Sequence, residues 1–94
     1  MFHLLESYQL VAAGSLCSDE GTLPVTDRDE CRMAFPVIKS EDPSAVDGIS
    51  FAYTRNDRPQ GCFMHTENHA VYWNRHSKGN RNNDDRQVCK SGGK

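Results

Sequence analysis

Four cysteines, four histidines and a late run of amide and acid side chains are the residues of this 94-residue chain with chemistry to offer. The cysteines are spaced Cys17-x13-Cys31-x30-Cys62-x26-Cys89, with no C-x-x-C pair, which disfavours a zinc ribbon or a thioredoxin-type motif. Four well-separated cysteines in even number read as two disulfides. That implies an oxidising compartment: secreted, cell-surface or the lumen of an organelle. The competing reading is four buried free thiols in a cytosolic protein.

His65 and His69 flank Glu67, and two imidazoles across such a turn are where zinc would begin. His76 is the one further ligand in reach, so solvated turn residues are the simpler reading. Asn80, Asn82, Asn83, Asp84 and Asp85 are rich in oxygen, but calcium needs six to eight oxygens and the spacing is not that of an EF-hand. We expect no metal and no cofactor. Catalysis by a nucleophile needs a base and an orienting group beside it. Ser77 next to His76 is adjacency in sequence only, and neither G-x-S-x-G nor G-x-G-x-x-G is present. The chain is expected to bind rather than catalyse.

Aromatic residues cluster in I-S-F-A-Y-T (49–54), G-C-F-M-H (61–65) and A-V-Y-W-N (70–74). They matter because the aliphatic supply is thin: Leu, Ile, Val and Phe together number 17, about 18%. Such scarcity suits disorder, but the net charge is only −2 and disordered chains are depleted in aromatic runs. A small domain with this little apolar material relies on covalent staples. Charge is polarised. Residues 1–50 carry nine acids against three bases, and residues 75–94 carry six bases against two acids. This can steer a partner, yet a slightly acidic whole is no footprint of nucleic-acid binding.

The elements that must position these side chains follow from pattern. Residues 1–94 form one domain, with a core from about 6 to 90. Met1–Leu16 is a poor signal peptide, because it lacks a basic start and Glu6, Ser7 and Gln9 interrupt its apolar run. We therefore expect that a targeting segment has been removed. No run is long enough to span a bilayer, so membrane association would come only through a partner. Glu6–Ala13 is a first strand stopped by Gly14, and Cys17–Gly21 is turn-like. Thr26 is the expected N-cap of a helix, with acids at Asp27, Asp29 and Glu30. Cys31, Ala34, Phe35 and Ile38 make its apolar face, and Pro36 ends it near Phe35 or kinks it. Residues 39–48 form a surface loop. Ile49, Phe51 and Tyr53 alternate as a strand, Gly61–His65 and Ala70–Asn74 form a hairpin, and Gln87–Cys89 returns to the sheet edge. Arg75–Gln87 is a long polar stretch without regular structure.

The fold class expected is α+β, with one helix packed on a small antiparallel sheet. Four cysteines allow three pairings. The pairing that fits this architecture is Cys31–Cys62, stapling helix to sheet, with Cys17–Cys89 tying the chain ends. Each contributes roughly 3–5 kcal/mol in the chain-entropy account. If Cys62 and Met64 point inward, Phe63 points to the other sheet face. Of Tyr72 and Trp73, one should then be core and the other outward.

The order strand, Cys17, helix with Cys31, P-x-G-C-F (59–63), V-Y-W-N (71–74) and V-C-K (88–90) resembles a family. It is similar to short cysteine-rich modules of dinoflagellate and other marine algal and protist proteins, and more distantly to the PAN/apple class. The third disulfide of many PAN/apple domains has no counterpart here. The resemblance spans about residues 17–90 and implies a module that binds proteins or sugars. We expect docking onto a larger protein assembly. Extended through the resemblance, the setting is a lumenal accessory subunit of an algal membrane complex such as a photosystem, with the thylakoid lumen as one such compartment. The alternative is an extracellular carbohydrate-binding module. The expected partner surface runs along the second hairpin strand and the basic segment after it, with Phe63, Tyr72, Asn74, Arg75, His76, Lys78, Arg81 and Arg86 as its residues. Its supposed length without regular structure is more often functional than accidental.

Overall fold

A computed structural model describes residues 7–51 and 53–91. The expected contributions of Glu6 and Ala52 therefore lie outside the described residues. In chain order the elements are β1 (Tyr8–Leu10), a 3-10 turn (Cys17–Glu20), β2 (Leu23–Pro24), α1 (Arg28–Glu41), β3 (Val46–Asp47), β4 (Pro59–His65), β5 (Ala70–Gly79) and β6 (Asp85–Lys90). The strands form one sheet in the order β1-β6-β4-β5-β3, with β2 also on β6. The pairs β4–β5, β4–β6, β1–β6 and β2–β6 are antiparallel; β3–β5 is parallel, so the sheet is mixed. One helix on this sheet and two disulfides, Cys31–Cys62 and Cys17–Cys89, make the α+β fold that the sequence implies.

The register explains which side chain serves which face. Trp73 sits opposite Cys62 and Val71 opposite Met64. With Val88, these residues pack against Cys31, Ala34 and Ile38 of α1 in the main core. Their alternates Phe63, Tyr72 and Gln87 point to the far face. Cys89 alternates with Val88, so Cys17–Cys89 lies on the far face in a small cluster with Val11. The two bridges therefore clamp opposite sides of one sheet. Paired cysteines are compatible with an oxidising environment. Among the described residues no helix is long and apolar enough to cross a membrane.

Several elements depart from their expected form. The N-cap is Asp27, not Thr26: its carboxylate accepts the Glu30 N–H at 2.9 Å. Thr26 instead offers its carbonyl to the Trp73 indole N–H at 2.8 Å. The helix runs through Pro36 to Glu41. Pro36 removes the donor for the Arg32 carbonyl, but both residues are on the exposed side, where water can replace the bond. Among the described residues of the segment 49–54 there is no strand. A turn occupies Gly48–Phe51, and only Tyr53 bridges to Asn74. The strand here is β3, inside the segment read as loop. At the other end β5 continues to Gly79 and β6 starts at Asp85, so the irregular stretch shrinks to residues 80–84. β6 is no edge strand; it lies between β1 and β4.

Candidate interaction surface

The far face is built around Phe63, which is 0% exposed. Tyr53 and Tyr72 close over it, with ring centroids 5.8 Å from Phe63 in both cases and 5.1 Å from each other in an edge-on contact at 85°. Gly48 lies directly beneath Tyr72; a Cβ there would come within 2.9 Å of the ring. The Tyr72 hydroxyl accepts from the Asn68 amide at 3.2 Å. Both tyrosines remain half-buried, with one edge in water. Tyr72 and Trp73 thus divide between the two faces, Trp73 against the main core and Tyr72 on the far face, but both rings stay half-buried. Trp73 is half-buried on the opposite face, where the Arg28 guanidinium sits 5.0 Å from its ring centroid. Arg28 also donates to the carbonyls of Ile49, Ser50 and Phe51, joining the helix start to that turn.

Beside the rings is a charged network that composition and spacing did not reveal. Asp85 is fully buried and receives the Arg58 guanidinium on both oxygens at 3.0 Å. It also faces His65 Nδ1 at 3.0 Å. Burial works against the charge on Arg58, and the bonds to Asp85 outweigh it, holding the guanidinium above its ordinary value. His65 is thus a strand residue anchored to a buried acid, not a solvated turn residue. Asp85 belongs to the ladder, not to an oxygen-rich loop. The amides of that loop hold the preceding turn: Asn80 donates to the Asn56 carbonyl and Asn82 to that of Asp57, each at 2.8 Å. Among the described residues no three His, Cys, Asp or Glu side chains converge as metal ligands.

The expected partner residues do not gather in one patch. Phe63 and Asn74 are buried and unavailable for contact. Asn74 instead staples residues 55–59 to β5 through its amide. Tyr72 reaches the far face, whereas Arg75 is exposed and falls, by strand alternation, on the Trp73 side. His76 Nδ1 accepts the backbone N–H groups of Lys78 and Gly79 at 3.2 and 3.0 Å and closes the end of β5. Arg81 forks onto Asp19 at 2.8 and 3.2 Å and lowers its carboxyl to about 2. Arg86 donates to the Val11 carbonyl at 2.9 Å. Of the eight, Arg75 and Lys78 are exposed with side chains that have no hydrogen-bond or ionic partner among the described residues, while Tyr72 keeps a half-buried ring.

The charge split is partly neutralised within the chain. Besides Arg81–Asp19, Lys90 binds Glu30 at 3.0 Å, so basic residues of the C-terminal part fold onto acids of the N-terminal part.

No protein-family model matches the chain, and neither a curated protein nor a solved structure matches it.

Proposed function

We propose that this chain is a non-catalytic docking module that presents the far face of its sheet to a protein partner. The observation that supports this is the half-exposed Tyr53–Tyr72 pair over buried Phe63, on the face that the helix does not cover. Tyrosines on a rigid support are favoured contact residues, because they bring large apolar area with little entropy to lose. The aromatic pair replaces the basic segment as the centre of the surface, since Arg81 and Arg86 are engaged within the chain. The resemblance of the G-C-F and V-Y-W-N segments to algal and protist modules extends the proposal to a lumenal accessory subunit of a membrane complex. The carbohydrate-binding alternative draws less support: two rings at 85° offer no shared flat platform for a sugar.

Photo-cross-linking tests the surface. Benzoylphenylalanine replacing Tyr53 should trap one defined protein in cells of the source, and the same group replacing exposed Met33 on α1 should not. Identical patterns from both positions would refute the proposal. Retention on a glycan array, abolished by Tyr72→Ser, would favour the sugar reading instead.

A further inference from the structure

A concavity lies on the far face of the sheet, beside Gln87. It is a cleft of about 290 Å³ between the 3-10 turn and the end of the β4–β5 hairpin. That volume is at the lower limit of small-molecule sites. Cys17 forms part of its lining, and Leu16 and Pro24 supply apolar walls. Gln60 and Gln87 line it with amides already engaged within the chain. Gln87 Oε1 accepts the Cys17 N–H at 2.7 Å, its Nε2 donates to the Gln60 carbonyl at 2.8 Å, and Gln60 Nε2 donates to the Ser77 carbonyl at 2.7 Å. These bonds, with the Cys17–Cys89 bridge behind them, fix the walls before any ligand arrives.

Two lining donors stay open. The Lys78 ammonium and the Ser18 hydroxyl have no partner among the described residues. Lysine can only donate, so what it lacks is an acceptor, ideally a charged one. The acid beside Ser18 does not fill that role, because Asp19 is occupied by the Arg81 fork and by the Leu16 N–H. Glu20 is exposed and does not line the cleft.

We propose that this cleft binds a carboxylate carried on a small apolar group, with Lys78 and Ser18 taking the carboxylate and Leu16 and Pro24 the apolar part. A free organic acid and the C-terminus of a peptide present the same chemistry. The proposal does not depend on docking at Tyr53 and Tyr72, and substitutions at those rings should leave it intact.

The test is an NMR titration of the intact chain with N-acetyl-leucine, N-acetyl-leucinamide and a tetrapeptide ending in leucine with a free carboxylate. N-acetyl-leucine should shift the backbone amide signals of Ser18, Gln60 and Lys78 saturably, and the carboxamide should not. Lys78→Met should weaken binding about fivefold with the remaining spectrum unchanged. Ser18→Ala should weaken it by a smaller factor. Tetrapeptide affinity about tenfold above that of the free acid would assign the ligand to a chain terminus; equal affinities would assign it to a small acid. Failure of both carboxylate probes to give a saturable shift would overturn the proposal. So would equal binding of the carboxamide, or undiminished binding by natively folded Lys78→Met.

Discussion

Asn74 holds more of the molecule together than its size suggests. Its Oδ1 accepts the N–H groups of Arg55 and His76, and its Nδ2 reaches the carbonyls of Arg55, Arg58 and Pro59 at 2.8, 3.3 and 2.9 Å. The side chain is buried, so water cannot replace these bonds. Asn74→Asp keeps the shape but turns the donor into a carboxylate facing three carbonyl oxygens. It should cost about 3 kcal/mol or more in urea unfolding, whereas Arg75→Ala next door should change stability by less than about 0.5 kcal/mol. Equal effects would mean that the amide network adds nothing. Acid titration gives a second expectation. The Asp19 carboxyl is lowered from 3.8 to about 2, chiefly by its hydrogen bond from Arg81. Asp42 is also lowered, chiefly by its hydrogen bond with His69 at 2.8 Å. A depressed folded-state value means that the folded chain holds fewer protons. Both acids therefore contribute stability above their unfolded values, and it is lost as pH falls through the folded ones. The thermal midpoint should drop between about pH 4 and pH 2, and Asp19→Asn combined with Asp42→Asn should flatten that drop. An unchanged slope in the double variant would remove these pairs from the account.

At the scale of elements, the G-C-F and V-Y-W-N segments act as packing instructions. Gly61 has a φ of 74°, and a Cβ there would come within 2.2 Å of the Val25 carbonyl, which accepts the Cys62 N–H. β2 wedges against β4 at this point, so only a residue without a side chain fits. Gly61→Ala should destabilise the domain by more than about 2 kcal/mol, whereas Gly21→Ala, with a positive φ but nothing within 4 Å, should cost about 1 kcal/mol. Calorimetry of the two variants decides this, and the expectation fails if their midpoints coincide. Cys62 and Phe63 then serve opposite faces, as do Val71 and Tyr72. This much was legible in the sequence, because period-two alternation and cysteine spacing report directly on which side a residue packs. The rest was not, for identifiable reasons. Ile49 and Tyr53 alternate like a strand, yet Ile49 enters the main core and Tyr53 the far face. A chain rounding a sheet edge can mimic that period. The polar run Arg75–Gly79 continues β5 past the core, where neither face needs apolar residues, so no hydrophobic pattern marks it. The Arg58–Asp85–His65 network joins residues 27 and 20 apart in sequence and leaves no local trace.

For the whole molecule, stability rests on two clamps on opposite sides of a thin sheet. Cys17–Cys89 joins residues 72 apart and Cys31–Cys62 joins residues 31 apart. In the chain-entropy account these contribute about 4.4 and 3.7 kcal/mol, against a typical total of ~5–15 kcal/mol. Neither is expendable in a chain so poor in aliphatic residues. All four cysteines are at most 1% exposed, so a reductant must wait for the structure to open. Cys62 is flanked by Gly61 against β2 and by Phe63 under the tyrosines, while Cys89 lies in β6 between strands. The strands that carry them, β4 and β6, are neighbours in the sheet, so opening at either bridge strains the ladder between them. We expect both bridges to be reduced together, at the global unfolding rate, with a steep increase in urea. Mass spectrometry of alkylated samples under native conditions should then find only the intact and the fully reduced species. A native-like species with one reduced bridge, accumulating in the absence of urea, would show that one face opens without the other. If the bridge that yields is Cys17–Cys89, the far-face cleft belongs to a mobile end of the sheet and not to its rigid centre.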